Sequence, residues 1–257
     1  MTESSTSRMV YSEEGSVATL TLCRAPMNAI DDLFLNTLGT HLDALALRTD
    51  LTILRFRSTQ RVFCAGADLA VIGSRIGTAE GASTMVDTVR LFQTMYNKIA
   101  ALPMVTLAEI EGHALGGGME LALACDLRIA SHAAKLGLPE AKVGLLPGAG
   151  GTQRLTHLCG PGVAARIILT GELIGGEEAA CIGMAQWSAT PENFAEVAKS
   201  VVDRTASMSP PALRIIKQCI QHAVLDMTAG SLAEVNGIGA LMMEAETAKR
   251  VAGFLKK

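Results

Sequence analysis

Three short segments of this chain carry residue types suited to forming and holding an enolate. Cys64-Ala65-Gly66-Ala67-Asp68 comes first, then Gly116-Gly117-Gly118-Met119-Glu120, then Gly137-Leu138-Pro139-Glu140. Small residues leave backbone N–H groups open to a ligand with no Cβ in the way. Where such a run opens a helix, its free N–H groups and the helix dipole favour a developing negative charge. An acyl thioester carbonyl on its way to an enolate needs that help, and fixed donors aimed at its oxygen are often the largest catalytic contribution. Glu120 and Glu140 supply the second requirement, carboxyl groups that take and return protons. Glu120 falls in the first turn of an expected helix. Glu140 follows a proline in an apolar stretch, where partial desolvation raises a carboxyl pKa toward neutrality. Each segment alone also has a plainer account: a tight strand-to-helix corner, an ordinary loop, a glutamate placed for the helix dipole, a solvated loop glutamate. Their occurrence together and in order is what points to chemistry.

The elements that must position these segments read as alternating strands and helices. Ser16 to Leu22 alternates like a strand, and Asp31 is a suitable N-cap for a helix running to about Arg48. Leu51 to Phe56 reads as the next strand and Ser58 to Asp68 as a loop. Val86, Val89, Phe92, Met95 and Ile99 recur at helical spacing, and Pro103 ends that helix. Met104 to Ile110 is strand-like and runs into the glycine triplet; Met119 to Cys125 is a short helix and Leu127 to Ala130 another strand. This alternation predicts an α/β fold with crossover connections. Near Gly150 the rhythm turns almost wholly helical, over 152–170, 175–182, 191–206, 210–225 and 228–254. We divide the chain into an α/β core, 1–190, and a helical C-terminal region, 191–257, with no low-complexity linker between them.

Composition bounds the partners. The 257 residues are 49% hydrophobic but only 4% aromatic, so small and aliphatic side chains must fill the core. A net charge of −3 gives no global field to draw nucleic acid or an anionic membrane. The six cysteines lack metal or redox spacing and read as free thiols, and no apolar run approaches the ~20 residues that span a bilayer. With a polar start and no secretory or transit pattern, the expectation is a cytoplasmic protein. The five histidines form no ligand-spaced cluster, so no metal is expected. No glycine set completes a dinucleotide fingerprint, Gly171 to Gly176 continues with Glu177 where a P-loop needs Lys, and no G-x-S-x-G is present.

Ile110 through Asp126 reads IEGHALGGGMELALACD, and with the flanking segments Cys64–Asp68, Gly137–Glu140 and Leu146–Thr152 it resembles the enoyl-CoA hydratase/isomerase (crotonase) superfamily over nearly the whole chain. The resemblance implies a spiral of ββα units followed by a helical C-terminal trimerisation region. It implies an oxyanion hole from the N–H groups of Ala67 and Gly117, with Glu120 and Glu140 as the acid–base pair around a water. It places Arg24, Met27, Ala65, Asp68, Leu69, Ala70 and Gly116 at the substrate, the first two in a segment lining the coenzyme A site. The implied reaction is hydration of a 2-enoyl-CoA, as in fatty-acid β-oxidation, with coenzyme A as part of the substrate and no cofactor. Both glutamates are present, as in hydratases; Gly148 stands where dienoyl-CoA isomerases carry an aspartate, and dihydroxynaphthoyl-CoA synthases generally lack the later carboxylate. Ala70 stands where many hydratases carry a lysine that meets the coenzyme's nucleotide, which leaves that cation to Arg24 or Lys217, or the acyl group to a carrier protein. The acyl pocket is expected to involve Val71 to Val89. Members of the family form trimers that pair into hexamers, with C-terminal helices closing a neighbour's site; Phe254 and Lys217 are the candidates here. The alternatives are an enoyl-CoA isomerase, another acyl-thioester lyase of this type, or a non-catalytic or RNA-binding relative, which the acidic balance and the absence of a lysine-rich helix disfavour.

Overall fold

The computed structural model of the protein describes residues 7–225 and 227–254. Strands β1 (Met9–Glu14) and β2 (Val17–Leu22) form an antiparallel hairpin. Helix α1 (Asp32–Leu45) begins at Asp31, whose carboxylate accepts the Phe34 N–H as its N-cap position requires.

The chain then winds three times through one kind of unit: a strand in a large sheet, a short strand in a small sheet, and a helical return. The first turn is β3 (Ile53–Ser58), β4 (Val62–Cys64), α2 (Leu69–Arg75) and α3 (Ala79–Ala101). The second is β5 (Val105–Ile110), β6 (His113–Leu115) and α4 (Gly117–Ala124). The third is β7 (Leu127–Ser131), β8 (Lys135–Gly137), a 3-10 turn over Pro139–Val143 and α5 (Gly151–Thr170). After β9 (Ile174–Gly175), α6 (Gly176–Cys181) and β10 (Trp187–Ala189) come α7 (Phe194–Ala206), α8 (Pro210–Leu225), α9 (Met227–Leu241) and α10 (Ala245–Phe254). The large sheet has the order β1-β2-β3-β5-β7-β10 and is parallel from β2 onward. The small sheet has the order β4-β6-β8-β9 and is parallel except for its last pair. This is the α/β spiral of ββα units, with a helical C-terminal region, that the resemblance implies.

Some expectations fail locally. Ser58 to Asp68, expected as a loop, contains β4, and the stretch after Gly150, expected to be helical, contains β9 and β10. These strands are two or three residues long, too short to show alternation. The helix expected over 228–254 is two helices, α9 and α10. Helix α5 is kinked at Gly160, just before Pro161.

Alternation along the parallel strands builds a core on each face of the large sheet. Leu54, Phe56, Ala108, Ile110 and Ala130 face the main core, with α1, α3 and α4. Ile53, Leu107 and Ile129 face the other way, onto Phe194, Ala198, Val201 and Val202 of α7. Helix α8 is tied to the sheet by Lys217, whose Nζ lies 2.7 Å from an Asp126 carboxylate oxygen and 3.2 Å from the Met104 carbonyl. Among the described residues no helix is long and apolar enough to cross a membrane.

Candidate active site

β4 and β6 are neighbours in the small sheet, so the segments that leave their C-terminal ends lie side by side. The first, Ala65 to Asp68, is laced to the chain before α1: Ala65 N–H donates to the Met27 carbonyl (3.0 Å), Ile30 N–H to Gly66 (2.8 Å), and Asp68 N–H to Ile30 (2.9 Å). This ladder passes over the Ala67 N–H. Gly66 has φ +94°, and a Cβ there would stand 2.8 Å from the Leu115 carbonyl, so the turn requires glycine. Asn28, fully buried, fastens the same pre-α1 segment to β4 by donating to Ser58 Oγ (2.7 Å) and the Phe63 carbonyl (2.9 Å).

The second segment enters α4. The Gly117 N–H is in the first turn, where a helix has no acceptor of its own for it. A Cβ built on Gly66 would lie 3.0 Å from the Gly117 nitrogen, and one on Gly117 would lie 3.4 Å from the Ala67 nitrogen, so the two N–H groups are close neighbours. α4 packs hard on β4 at Gly118, where a Cβ would meet the Cys64 carbonyl oxygen at 2.2 Å. The buried Tyr96 hydroxyl of α3 donates to the Gly117 carbonyl at 2.7 Å, and Phe92 meets the Tyr96 ring edge-on.

Glu120 rises from the same turn of α4 and is 3% exposed. Its Oε1 accepts the N–H groups of Ala149 and Gly151, both at 2.8 Å. Burial pushes its pKa up to about 7; the charge of Glu140 adds to that, and the two N–H bonds oppose it. Glu140 opens the 3-10 turn after β8. Its Oε1 stands 2.9 Å from where a Cβ on Gly116 would be, and its buried Oε2 has no hydrogen-bond partner in the protein. Burial raises its pKa as well, opposed by its own backbone N–H.

Both carboxyl groups, Ala67 and Gly117 line one cavity of about 840 Å³. Its wall is apolar: Ile72 of α2, Met85, Val86 and Val89 of α3, and Val143, Leu145 and Leu146 beyond the 3-10 turn. The cationic side chains lining it are Arg90 and Lys142. The structure thus brings together Ala65, Ala67, Leu69, Gly116, Gly117, Glu120 and Glu140 from the expected set, and Ile72, Ala82, Met85, Val86 and Val89 of the Val71–Val89 stretch line the same cavity. Other expected residues stand apart from the cavity. Arg24 donates to the Ala29 carbonyl and pairs with Asp68 at 2.8 Å, so it braces the Ala65–Asp68 turn. Asp68 caps α2 by accepting the exposed Ala70 N–H at 3.0 Å, and Met27 contributes its carbonyl to the ladder while its side chain is about half exposed. Lys217 is a correction: its side chain is 8% exposed and spent on Asp126, away from the cavity, so it supplies no cation to a ligand there. The Phe254 side chain lies outside the described residues.

Sequence reasoning missed Tyr96, Gln93, Arg154 and the 143–146 wall. The adjacent leucines before Pro147-Gly148 signalled the wall, because apolar residues in a glycine-rich loop need something to cover them. Among the described residues no group of three His, Cys, Asp or Glu side chains is placed to hold a metal ion.

Comparison with known proteins finds relatives over nearly the whole chain. The family model for enoyl-CoA hydratase/isomerase matches residues 12–257. The chain is 32% identical to 2,3-dehydroadipyl-CoA hydratase of Escherichia coli, covering 98% of this chain and 96% of that protein. It is 29% identical to the short-chain-enoyl-CoA hydratase of Clostridium acetobutylicum over 97% and 95% of the two chains. Among solved structures it resembles an enoyl-CoA hydratase from Bacillus anthracis, with TM-score 0.88, 30% identity and 97% and 96% coverage. Pseudomonas aeruginosa DspI is similar too, with TM-score 0.89, 34% identity and 98% and 95% coverage.

Proposed function

The chain belongs to the enoyl-CoA hydratase/isomerase family, and we propose that within it this protein adds water reversibly to a 2-enoyl-CoA, giving a 3-hydroxyacyl-CoA. The observation that carries this reading is the placing of two carboxyl groups, buried Glu120 and half-buried Glu140, on one cavity beside the neighbouring N–H groups of Ala67 and Gly117.

The thioester oxygen sits between those two N–H groups, which bind it more strongly as it gains charge. A water lies between the glutamates. One of the pair, as a carboxylate, takes a proton from the water as its oxygen bonds to C3. The C2–C3 π electrons move toward the thioester and form the enolate. The other glutamate, as an acid, then delivers its proton to C2. The raised pKa values suit this division: burial raises both, and with the charge of Glu140 added it brings Glu120 to about 7, so the pair can hold a proton near neutral pH. The bonds from Ala149 and Gly151 fix one Glu120 oxygen and leave the other for water. No step needs a metal or a redox group.

The apolar wall of Ile72, Met85, Val86, Val89, Leu145 and Leu146 supports an apolar acyl chain. A double-bond shift can use the same hole with one carboxylate, so product analysis decides between the two reactions. With a 2-enoyl-CoA as substrate, mass spectrometry is expected to show a product heavier by one water; a product of unchanged mass with a displaced double bond would mean isomerisation instead.

A further inference from the structure

We propose that Arg154 is a positioning residue for Glu120, clamping, with Gln93 and Asn97 of α3, the backbone turn whose N–H groups hold that carboxylate. The inference rests on the reading of Glu120 as one of the acid–base pair.

The turn runs from Gly148 to Gly151, and its two sides are held by different partners. On the inner side, the N–H groups of Ala149 and Gly151 both donate to Glu120 Oε1. On the outer side, Gln93 Nε2 donates to the Gly148 carbonyl at 2.8 Å, and Arg154 Nη1 donates to the Ala149 carbonyl at 2.9 Å. The other end of the guanidinium, Nη2, is fixed by Asn97 Oδ1 at 2.6 Å. The guanidinium lies directly over Gly150: a Cβ there would stand 2.2 Å from Nη1, and φ is +100°. Gly150 therefore leaves room for the arginine as well as making the turn.

The chemistry of the clamp follows from the side chain. A guanidinium is a planar fork that reaches a carbonyl on one prong and an amide oxygen on the other, and an ammonium point charge cannot span both in a fixed plane. The Gly148 carbonyl held by Gln93 shares its peptide plane with the Ala149 N–H, and the Ala149 carbonyl held by Arg154 fixes the next plane, which leads into Gly150. The Gly151 N–H shares its plane with the Gly150 carbonyl, which accepts the Arg154 backbone N–H at 2.9 Å, so both donors to Glu120 are steadied from the outer side. The arrangement also sets a positive charge near that carboxylate. The other titratable groups facing Glu120 are Glu140, whose charge opposes ionisation, and the buried Tyr96 hydroxyl. The Arg154 charge favours the ionised form of Glu120, as its place demands.

The test compares Arg154→Met, Arg154→Lys and Asn97→Ala with wild type. Hydration kinetics and a 13C NMR titration of the Glu120 carboxyl, assigned by its absence in Glu120→Gln, are both read. In Arg154→Met, kcat is expected to fall about a hundredfold, as for a reacting group displaced by ~1 Å, with KM within about twofold. The pH–rate profile and the Glu120 titration both move to higher pH. Arg154→Lys restores the titration but not kcat. Asn97 is exposed, so its replacement leaves the core intact and lowers kcat less, in the same direction. An Arg154→Met enzyme with wild-type kcat and an unmoved Glu120 titration overturns the proposal. If that variant does not fold, Asn97→Ala decides, wild-type behaviour counting against the clamp. If wild type does not hydrate enoyl-CoA, the hydratase reading falls, and the titration alone judges the clamp.

Discussion

Glu120 is held where its charged form is disfavoured, and this has a consequence for stability as well as catalysis. Its folded pKa of about 7 lies above the ordinary 4.5, so between those values the folded protein keeps a proton that the unfolded chain has lost. The stability this contributes is fully present below about pH 4.5 and disappears as pH rises through about 7, an effect of order ~3 kcal/mol. Glu120→Gln removes the charge and can still accept the Ala149 and Gly151 N–H groups. Urea unfolding is expected to show this variant more stable than wild type by about 3 kcal/mol near pH 8, the gap closing toward pH 5. Equal stabilities near pH 8 would mean that the burial cost of Glu120 is already compensated. At this scale the two glutamates were legible in the sequence, because each sits in a run of glycine or proline that an ordinary core does not need. Arg154 and Tyr96 were not: a single arginine or tyrosine on a helix reads as surface or core until the fold shows what it faces.

At the scale of elements, the site depends on how closely α4 approaches β4. The approach is limited by Gly118, since any side chain there meets the Cys64 carbonyl. Gly118→Ala is expected to push α4 and its Gly117 N–H away from Ala67, lowering kcat about a hundredfold and stability by about 3 kcal/mol. Steady-state kinetics beside thermal unfolding checks it, and unchanged kcat would mean that the hole does not depend on this contact. The long elements were read correctly from sequence because each spans several periods: α1 from its Asp31 cap, and the strands β2, β3, β5 and β7 from their apolar runs. The small sheet was not, as its strands have three residues or fewer. Their pairing comes from the winding of the chain, and no local pattern announces it. Yet this sheet is what brings the ends of β4 and β6 together, so the site's geometry was the least visible part of the fold.

For the molecule as a whole, one feature ties the helical region to the large sheet and another leaves apolar side chains of that region exposed. Lys217 and Asp126 pin α8 to the large sheet, and Asp126 also accepts the Thr106 N–H and hydroxyl. Solvent partly reaches Asp126, so Lys217→Met is expected to cost about 2 kcal/mol, less than for a fully buried pair. The loss should shrink in an Asp126→Asn background; equal losses in both would show no coupling between them. Farther out, Ile216 and Ile220 of α8, Val235 and Ile238 of α9, and Met242 and Met243 after it are exposed. Burial of such side chains between copies suits a trimer or hexamer. Light scattering is expected to give three or six times the chain mass, and Val235→Asp with Ile238→Asp to shift it toward one; a wild-type monomer would contradict this.

Hydration of crotonyl-CoA, followed as loss of the enoyl thioester absorbance, tests the paired-carboxylate site most directly when wild type is compared with Glu120→Gln and Glu140→Gln. Active wild type is expected, each variant losing about a thousandfold in kcat, and the double variant falling little further because the two groups act as a unit. Wild-type hydration that survives either substitution within about tenfold would contradict a mechanism in which both carboxyl groups move the protons.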